Sequence, residues 1–283
     1  MRPTHIRCAI SPDADDLFMF KALLDGKVDA RGLTFDIVTR DTDVLNRMAS
    51  GDGPDVTAIS IAHYPAVAQR YRLFKHGGSI GRGYGPVVIA RRDAAALESG
   101  TTRRIAVPGL TTTAFLALKL AIGESFEPVV TPIVPPSLTF DALRSGKVDA
   151  ALVIHEGRLT YEEQGFICLL DTGKWWMDTT GLPLPLGGNV IRRDLPLDVI
   201  ARANAAIRDS IAWALANREE AITWLLSRGG PLGTRALVDT YLSLYANADT
   251  LDYGVDGRRA IQHLLNEGAQ RGWLPQTGRV DFV

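Results

Sequence analysis

The amino-acid sequence predicts an α/β fold of two similar α/β lobes with a ligand cleft between them. Short apolar runs alternate with helical patterns, one helix–glycine–aspartate–strand segment occurs twice, and the C-terminal third is mainly helical in pattern. Strands that alternate with helices are typical of α/β layers. The chain has 283 residues and is 46% hydrophobic, which is enough apolar material for one large domain or two small ones.

Runs rich in valine and isoleucine indicate the strands. They lie, in chain order, at 6–10, 33–38, 56–59, 87–90, 105–107, 150–154 and 166–170. Because helical patterns separate these runs, we expect mostly parallel sheets. In the C-terminal region a four-residue recurrence predicts one buried helix face, formed by Val199, Ala203, Ile207, Ile211 and Leu215.

A repeated segment indicates that the two lobes share a topology. Residues 49–60 and 144–155 each contain a helix end, a glycine and an aspartate that opens a buried strand. We expect each glycine to supply a left-handed helix C-cap. In open α/β sheets ligands bind beyond the carboxyl ends of the strands. The repeat therefore predicts a cleft between the lobes in which His155 lies opposite Ser60.

Composition argues against several classes of protein. Thirty-one Lys and Arg residues against 32 Asp and Glu residues give a net charge of −1, so a nucleic-acid partner is not expected. No apolar run approaches the roughly 20 residues that cross a bilayer, and the first one is too short for a signal peptide. We expect a cytoplasmic protein without a membrane partner. Cys8 and Cys168 lie in apolar runs and are predicted to be buried, reduced thiols.

An acidic cluster follows the first strand. Ser11 precedes Asp13, Asp15 and Asp16 at the point where a helix should begin. Such residues favour helix N-caps, and Ser11 would face the cleft with the free N–H groups. Three carboxylates also permit a magnesium site, but no phosphate-binding loop accompanies them. Capping is the favoured interpretation, and no metal is expected.

Threonines mark the start of a helix after the strand at 105–107. Helix N-termini carry unpaired N–H donors and a partial positive charge, so this turn is a candidate site for a carboxylate, with further donors from Thr112 and Thr113. A plain N-cap needs only one threonine. The sequence leaves both interpretations open.

His155 ends the strand at 150–154 and is followed by Glu156. With an ordinary pKa of about 6.5, a histidine at a strand end can serve as a general base, whereas an isolated one is more often structural. The repeated segment places His155 opposite Ser60 and therefore favours a functional position in the cleft over a structural role. The sequence contains no zinc-ligand pattern and no serine-hydrolase elbow.

Two further segments have alternative interpretations. Residues 77–86 contain a G-x-G-x-G run, but it precedes a strand, so the context of a dinucleotide-binding loop is missing. A mobile segment that leads into the crossover between lobes fits better. Trp175 and Trp176 are candidates for the wall of an aromatic ligand site, although paired tryptophans are more often simply packed.

The chain resembles the MqnA/MqnD family of the menaquinone pathway over nearly its whole length. The resemblance rests on the segments 77–86, 106–109, 112–114, 154–161, 171–176 and 180–187. It implies a type II periplasmic-binding-protein fold used as a cytoplasmic enzyme, with lobe 1 at 1–90 and 190–283 and lobe 2 at 91–189. The cleft would close on its ligand.

The resemblance also implies a reaction and roles for residues. A lyase of this kind acts on cyclic dehypoxanthinyl futalosine and releases 1,4-dihydroxy-6-naphthoate in the futalosine route, without a metal or organic cofactor. His155 matches the proposed catalytic histidine, which would remove a proton from the sugar-derived part. Thr112 and Thr113 match residues that hold ligand oxygens, and Ser60 matches the serine that faces them.

The remaining candidate binding residues lie in the other matched motifs. Ser11 and Asp16 match the first-strand motif, and Glu156 and Arg82 are further candidates for substrate binding. That motif usually has the sequence Ser-Pro-Cys-Pro-Asn-Asp-Thr-Phe. Here the departures are Asp13, Ala14, Asp15 and Leu17.

The added carboxylates would repel a carboxylate substrate unless they cap the helix or stay solvated. This leaves open a non-catalytic binding protein for a small carboxylate or aromatic molecule, or a divergent paralogue. Chorismate dehydratase activity, as in the sister branch, is a third and weaker alternative. The sequence leaves the oligomeric state open.

Overall fold

The computed structural model describes residues 4–93, 103–133 and 135–283. Its strands are β1 (Thr4–Ile10), β2 (Leu33–Thr39), β3 (Val56–Ser60), β4 (Tyr71–Leu73), β5 (Ser79–Gly81), β6 (Val87–Arg91), β7 (Arg103–Val107), β8 (Phe126–Val130), β9 (Ala150–Val153), β10 (Phe166–Asp171) and β11 (Leu184–Arg192). All seven runs predicted as strands are strands.

The helices lie between the strands and in the C-terminal region. They are α1 (Ala14–Leu24), α2 (Thr42–Ser50), α3 (Tyr64–Val67), α4 (Thr113–Ile122), α5 (Ser137–Arg144), α6 (His155–Thr160), α7 (Thr172–Thr180), α8 (Leu197–Ala216), α9 (Arg218–Ser227), α10 (Arg235–Tyr245), α11 (Ala248–Leu251) and α12 (Gly254–Gln270). The predicted face of α8 is buried from Val199 to Ile211, and Leu215 packs partly buried beside it. No helix in the described ranges is both long and apolar enough to span a membrane.

The strands form two sheets with the same central order. The first sheet runs β2-β1-β3-β11-β4, with β5 also paired to β11, and the second runs β10-β6-β9-β7-β8. Within each, three strands are parallel: β2-β1-β3 and β8-β7-β9.

The prediction of mostly parallel sheets is wrong. The chain passes to the second sheet between β5 and β6 and returns between β10 and β11. The strands at these crossings run antiparallel to their neighbours. Because β6 pairs in the second sheet and β11 in the first, the chain crosses between the two sheets near the predicted lobe boundaries. Those boundaries, at 90 and 190, stay a prediction.

The repeated aspartate occupies the same place in both sheets. The carboxylate of Asp55 accepts a hydrogen bond from the backbone N–H of Arg7 at 2.8 Å, and its own N–H donates to the Arg7 carbonyl at 2.8 Å. Asp149 and Arg104 repeat both hydrogen bonds, each at 2.8 Å. Each aspartate thus ties the start of one strand to the central strand beside it, and the sequence repeat reflects a structural equivalence.

The glycines before these aspartates differ. Gly146 has a φ of +69°, in the left-handed region, as predicted. Gly51 has a φ of −98°, so the prediction of a left-handed C-cap is wrong there. After α5 one more residue, Ser145, keeps helical angles before the glycine turns the chain. After α2 the chain leaves the helix at the glycine itself, so no left-handed residue is needed.

The two cysteines are both free, but only one is buried. Cys8 lies in the core against β2 and β3, whereas Cys168 is exposed. The prediction that Cys168 is a core thiol is wrong because β10 is an edge strand with one open side. An apolar run at a sheet edge has the same sequence pattern as one in the centre.

The glycine-rich segment at 77–86 was expected to be mobile, and the structure shows a packed element instead. It contains β5, which pairs with β11 and is buried. A Cβ on Gly78 would overlap the Tyr253 hydroxyl and the Gly187 carbonyl. Glycine is therefore required here for close approach of the backbone.

Gly78→Ala is accordingly expected to destabilise the protein by about 1–3 kcal/mol, the usual cost of overpacking. Urea unfolding followed by circular dichroism measures this change. Gly230→Ala is the matched control, because a Cβ at Gly230 meets nothing within 4 Å. Equal midpoints for the two variants would contradict the close packing at Gly78.

Candidate active site

A cleft lies where strand ends of both sheets meet. Its polar lining comprises Ser11, Asp15, Asp16, Thr42, Ser60, Ser79, Thr112, Thr113, His155 and Tyr245. Ser60 ends β3 of the first sheet, and His155 follows β9 of the second. The predicted cleft between corresponding strand ends is therefore present.

The acidic cluster after β1 is buried and does not cap α1. Asp13 holds the N-cap position of this helix without a side-chain cap hydrogen bond. Instead, the N–H of Ser11 donates to Asp16 at 2.6 Å. Burial and the nearby Asp15 raise the pKa of Asp16 well above its usual value. The expectation that these carboxylates cap the helix or stay solvated is wrong, because each has a specific buried partner.

Asp15 is held by two hydroxyl groups from distant parts of the chain. Tyr241 of α10 donates to one carboxylate oxygen at 2.9 Å, and Ser79 of β5 donates to the other at 3.1 Å. Burial raises the pKa of Asp15. The cleft wall near Asp15 is thus built from three separate elements.

The third acidic residue, Asp13, faces His155. Oδ2 of Asp13 lies 2.5 Å from Nδ1 of His155, so a buried carboxylate is paired directly with the ring. Burial would lower the pKa of His155, but the carboxylates of Asp13, Asp15 and Glu156 outweigh it and raise the pKa to about 10. Burial would raise the pKa of Asp13, and the charge of His155 holds it below its usual range. The pairing with Asp13 thus favours the charged, imidazolium form of the ring.

Glu156 follows His155 but points away from the cleft. It is 4% exposed and lines a second cavity together with Leu225 and Leu232. Burial, reinforced by the charge of Asp13, raises the pKa of Glu156 to about 7. Glu156 therefore has no direct access to the main cleft, where it was predicted to bind substrate.

Both predicted threonines line the cleft, and their hydroxyl groups already have partners. Thr112 caps α4 by accepting from the N–H of Phe115 at 3.2 Å and donates to Gly109 at 2.8 Å. Thr113 accepts from the N–H of Ala62 at 3.0 Å and donates to the Leu186 carbonyl at 2.7 Å.

The backbone at the start of α4 remains available to a ligand. Among the described residues, the N–H groups of Thr113 and Ala114 have no hydrogen-bond partner, as expected in the first turn of a helix. The N-terminus of this ten-residue helix also carries the partial positive charge of the helix dipole. Of the two kinds of donor predicted for this wall, the backbone N–H groups are free, whereas both threonine hydroxyl groups already have partners.

Ser60 closes the opposite wall. Its backbone N–H donates to the side-chain oxygen of Asn46 at 2.9 Å, and the Asn46 amide donates to the Ser60 hydroxyl at 3.2 Å. The Asn46 amide also donates to Thr111 at 3.0 Å, which links the two sides of the cleft. Because the Ser60 hydroxyl accepts in this network, its own proton is available to a ligand.

Comparison with known proteins identifies the family. A family model for menaquinone biosynthesis matches residues 6–270. The chain belongs to that family. A 1,4-dihydroxy-6-naphtoate synthase from Thermus thermophilus is 38% identical over 278 residues, which cover 98% of this chain and 99% of that protein. One from Streptomyces coelicolor is 37% identical and covers 98% of each.

Solved structures confirm the fold. Protein AF1704 from Archaeoglobus fulgidus is 41% identical, with a TM-score of 0.87 over 95% of this chain and 98% of that one. The alkanesulfonate-binding protein SsuA from Xanthomonas axonopodis is 13% identical, with a TM-score of 0.68 over 99% of this chain and 97% of that one. This second likeness shows the fold alone. This chain, a member of the menaquinone-biosynthesis family, therefore has the predicted periplasmic-binding-protein fold.

Arg82 and the tryptophan pair do not reach the cleft. Arg82 forms a bidentate ion pair with Asp249 at 2.8 and 2.7 Å near the surface and is not among the residues that line the cleft, so its contact with substrate stays a prediction. The indole N–H of Trp176 donates to the Pro183 carbonyl at 3.1 Å, and the ring is buried in the core. The pair is packed, as the plainer interpretation held.

Asp13, His155 and Glu156 bring ligand types for a divalent cation within 4.8 Å of one another. However, two neighbouring ligands of one ion lie about 3 Å apart or more. The 2.5 Å between Asp13 and His155 is shorter than that. In this structure the contact between Asp13 and His155 is that of an ion pair.

Proposed function

We propose that this protein is a 1,4-dihydroxy-6-naphthoate synthase, a cytoplasmic enzyme of the futalosine route. It breaks a carbon–carbon bond of cyclic dehypoxanthinyl futalosine and releases 1,4-dihydroxy-6-naphthoate. The observation that carries the proposal is a charged histidine, His155, on the wall of a cleft formed by both sheets. Two relatives that bear this enzyme's name match 98% of the chain.

The walls of the cleft supply donors for the oxygens of the substrate. A naphthoate carries a carboxylate, and helix N-termini bind such groups. The free N–H groups of Thr113 and Ala114 take this role in the proposal, and the Ser60 hydroxyl donates from the opposite wall. Backbone donors at fixed positions orient a ligand without losing side-chain entropy.

His155 supplies the reactive proton. When the carbon–carbon bond breaks, its electron pair passes into the ring system and onto a ring oxygen, while the sugar-derived part loses a proton to solvent and leaves as a neutral carbonyl compound. An imidazolium can donate a proton to such an oxygen as its charge develops. The base role expected from the sequence requires a neutral ring, whereas the pKa of about 10 keeps the ring charged at neutral pH. We therefore assign His155 the donor role.

The acidic residues that distinguish this chain are compatible with an anionic substrate. The charge of Asp13 is matched by His155, and Asp15 accepts hydrogen bonds from Tyr241 and Ser79. Burial raises the pKa values of Asp15 and Asp16, which weakens their tendency to carry a full negative charge. The repulsion expected from the sequence is thereby reduced.

Incubation of the purified protein with cyclic dehypoxanthinyl futalosine tests the proposal, with the product followed by mass spectrometry. We expect 1,4-dihydroxy-6-naphthoate from this substrate and no turnover of chorismate. Binding of the substrate by calorimetry without product would identify a non-catalytic binder on the same fold. Turnover of chorismate alone would assign the chain to the dehydratase activity. Either result would contradict the proposal that this protein is a 1,4-dihydroxy-6-naphthoate synthase.

A further inference from the structure

A buried carboxylate holds one edge of the His155 ring. Oδ2 of Asp13 lies 2.5 Å from Nδ1, and the hydroxyl of Ser11 donates to the same oxygen. Asp13 is 5% exposed and is not part of the cleft lining, so it contacts the ring from behind. The second ring nitrogen, Nε2, lies on the opposite side of an imidazole. The Asp13 contact therefore leaves Nε2 for the cleft.

The backbone at His155 is in an unusual conformation that this contact helps to maintain. His155 has a φ of +51°, in the left-handed region that residues with a Cβ rarely adopt. Such conformations persist when surrounding contacts outweigh their cost. Here the turn joins β9 to α6 and presents the ring to Asp13.

Aromatic rings of α10 confine the imidazole on its other sides. The centroid of Tyr245 lies 6.1 Å from that of His155, and the centroid of Tyr241 lies 6.5 Å away. The titratable groups that face or influence the ring are Asp13, Asp15, Asp16, Asp41, Glu156, Tyr241 and Tyr245. Among these groups, Asp13 is the one at ion-pair distance.

We propose that Asp13 is a positioning residue, which holds the His155 ring in one orientation and in its charged form and does not itself contact the substrate. The inference rests on the proposed catalytic role of His155. It assigns a function to the Asp13 carboxylate, which stands where the usual first-strand motif has cysteine. Carboxylates that hold a catalytic histidine through its other nitrogen set both its orientation and its charge.

Asp13→Asn tests the inference because it keeps the shape of the side chain and removes its charge. The titration of the His155 ring by NMR, assigned by comparison with His155→Asn, is the readout that a merely structural role would not move. We expect the titration midpoint to fall towards the ordinary value of about 6.5 and kcat to fall at least about tenfold, with KM changed little.

Asp36→Asn is the matched control. Asp36 forms an exposed ion pair with His5 at 3.4 Å, so this change also removes an aspartate from a histidine, far from the cleft. It should leave the His155 midpoint and kcat unchanged. A KM increase at unchanged kcat in Asp13→Asn would instead indicate a binding role and would overturn the inference.

The titration also separates this inference from the proposed function. If wild-type protein turns over no substrate, the synthase proposal fails, yet the His155 midpoint still reports on Asp13. An unchanged midpoint in Asp13→Asn would overturn the inference whatever happens to activity. If that variant does not fold, the wild-type ring decides, because a midpoint at or below about pH 7 would show that Asp13 does not hold the charge.

Discussion

Replacement of His155 by asparagine is expected to lower kcat of the proposed reaction by a factor of about 10² to 10⁴, while substrate affinity stays within a few fold. The variant retains a polar side chain at the cleft wall but cannot donate a proton from a cation. The binding donors of α4 and Ser60 are left intact. Steady-state kinetics with product detection by mass spectrometry measures kcat, and calorimetry measures affinity.

Asparagine is a better replacement than alanine because of the backbone. His155 has a φ of +51°, and asparagine is among the residues that tolerate this region. Alanine would add strain at the same time as it removes the imidazole. A fall in kcat in the asparagine variant is then attributable to the lost ring.

His5→Asn serves as the control for a general effect of losing a histidine. The side chain of His5 is 63% exposed and pairs only with Asp36 among the described residues. Its replacement should leave kcat unchanged. If His155→Asn keeps kcat within about threefold of wild type, the ring does not take part in the chemistry.

The sequence predicted the parts of the site that depend on local pattern. Strand ends at Ser11, Ser60 and His155 follow from apolar runs that stop at polar residues, and the aspartate repeat placed two of them on facing walls. These features need only the periodicity of one segment and the rule that ligands bind beyond strand ends.

Pairings between distant segments had no signal in the sequence. Tyr241 reaches Asp15 across 226 residues, and Tyr245 lines the cleft from the same helix. The C-terminal helices looked like plain packing elements because their apolar spacing is that of any buried helix. Arg82 looked free for a substrate, and only the fold brings Asp249 to it.

Glycine and proline give the start of β11 the sequence pattern of a loop. Residues 181–188 contain both in a pattern that is typical of a loop, yet Leu184–Arg192 is a nine-residue strand near the centre of the first sheet. A register shift between Pro185 and Gly187 accommodates the proline. A Cβ on Gly188 would crowd the Tyr253 hydroxyl, so small residues are needed where this strand packs.

The pH dependence of kcat is expected to distinguish a proton donor from a base at His155. Because the pKa of the ring is raised to about 10, a donor stays protonated through neutral pH, and this group adds no dependence there. Above about pH 10 the rate should fall about tenfold for each further pH unit. A base would give the opposite limb, with the rate still rising towards pH 10.

Stability must be followed over the same range, because the same proton contributes to it. The pKa of His155 is raised on folding from 6.5 to about 10, so the folded state binds this proton more tightly than the unfolded state does. The resulting stabilisation is complete below pH 6.5 and is lost as pH rises through 10. Glu156, raised from 4.5 to about 7, acts in the same direction at lower pH.

Loss of rate through unfolding can be separated from loss of the proton by reversibility. Enzyme held at high pH should keep its far-UV circular dichroism and recover full activity when returned to pH 8. Asp13→Asn should shift the falling limb of kcat to lower pH, since the ring then loses the partner that holds its charge. A limb that stays in place in this variant, or a rate that rises towards pH 10 in the wild type, would exclude His155 as the proton donor.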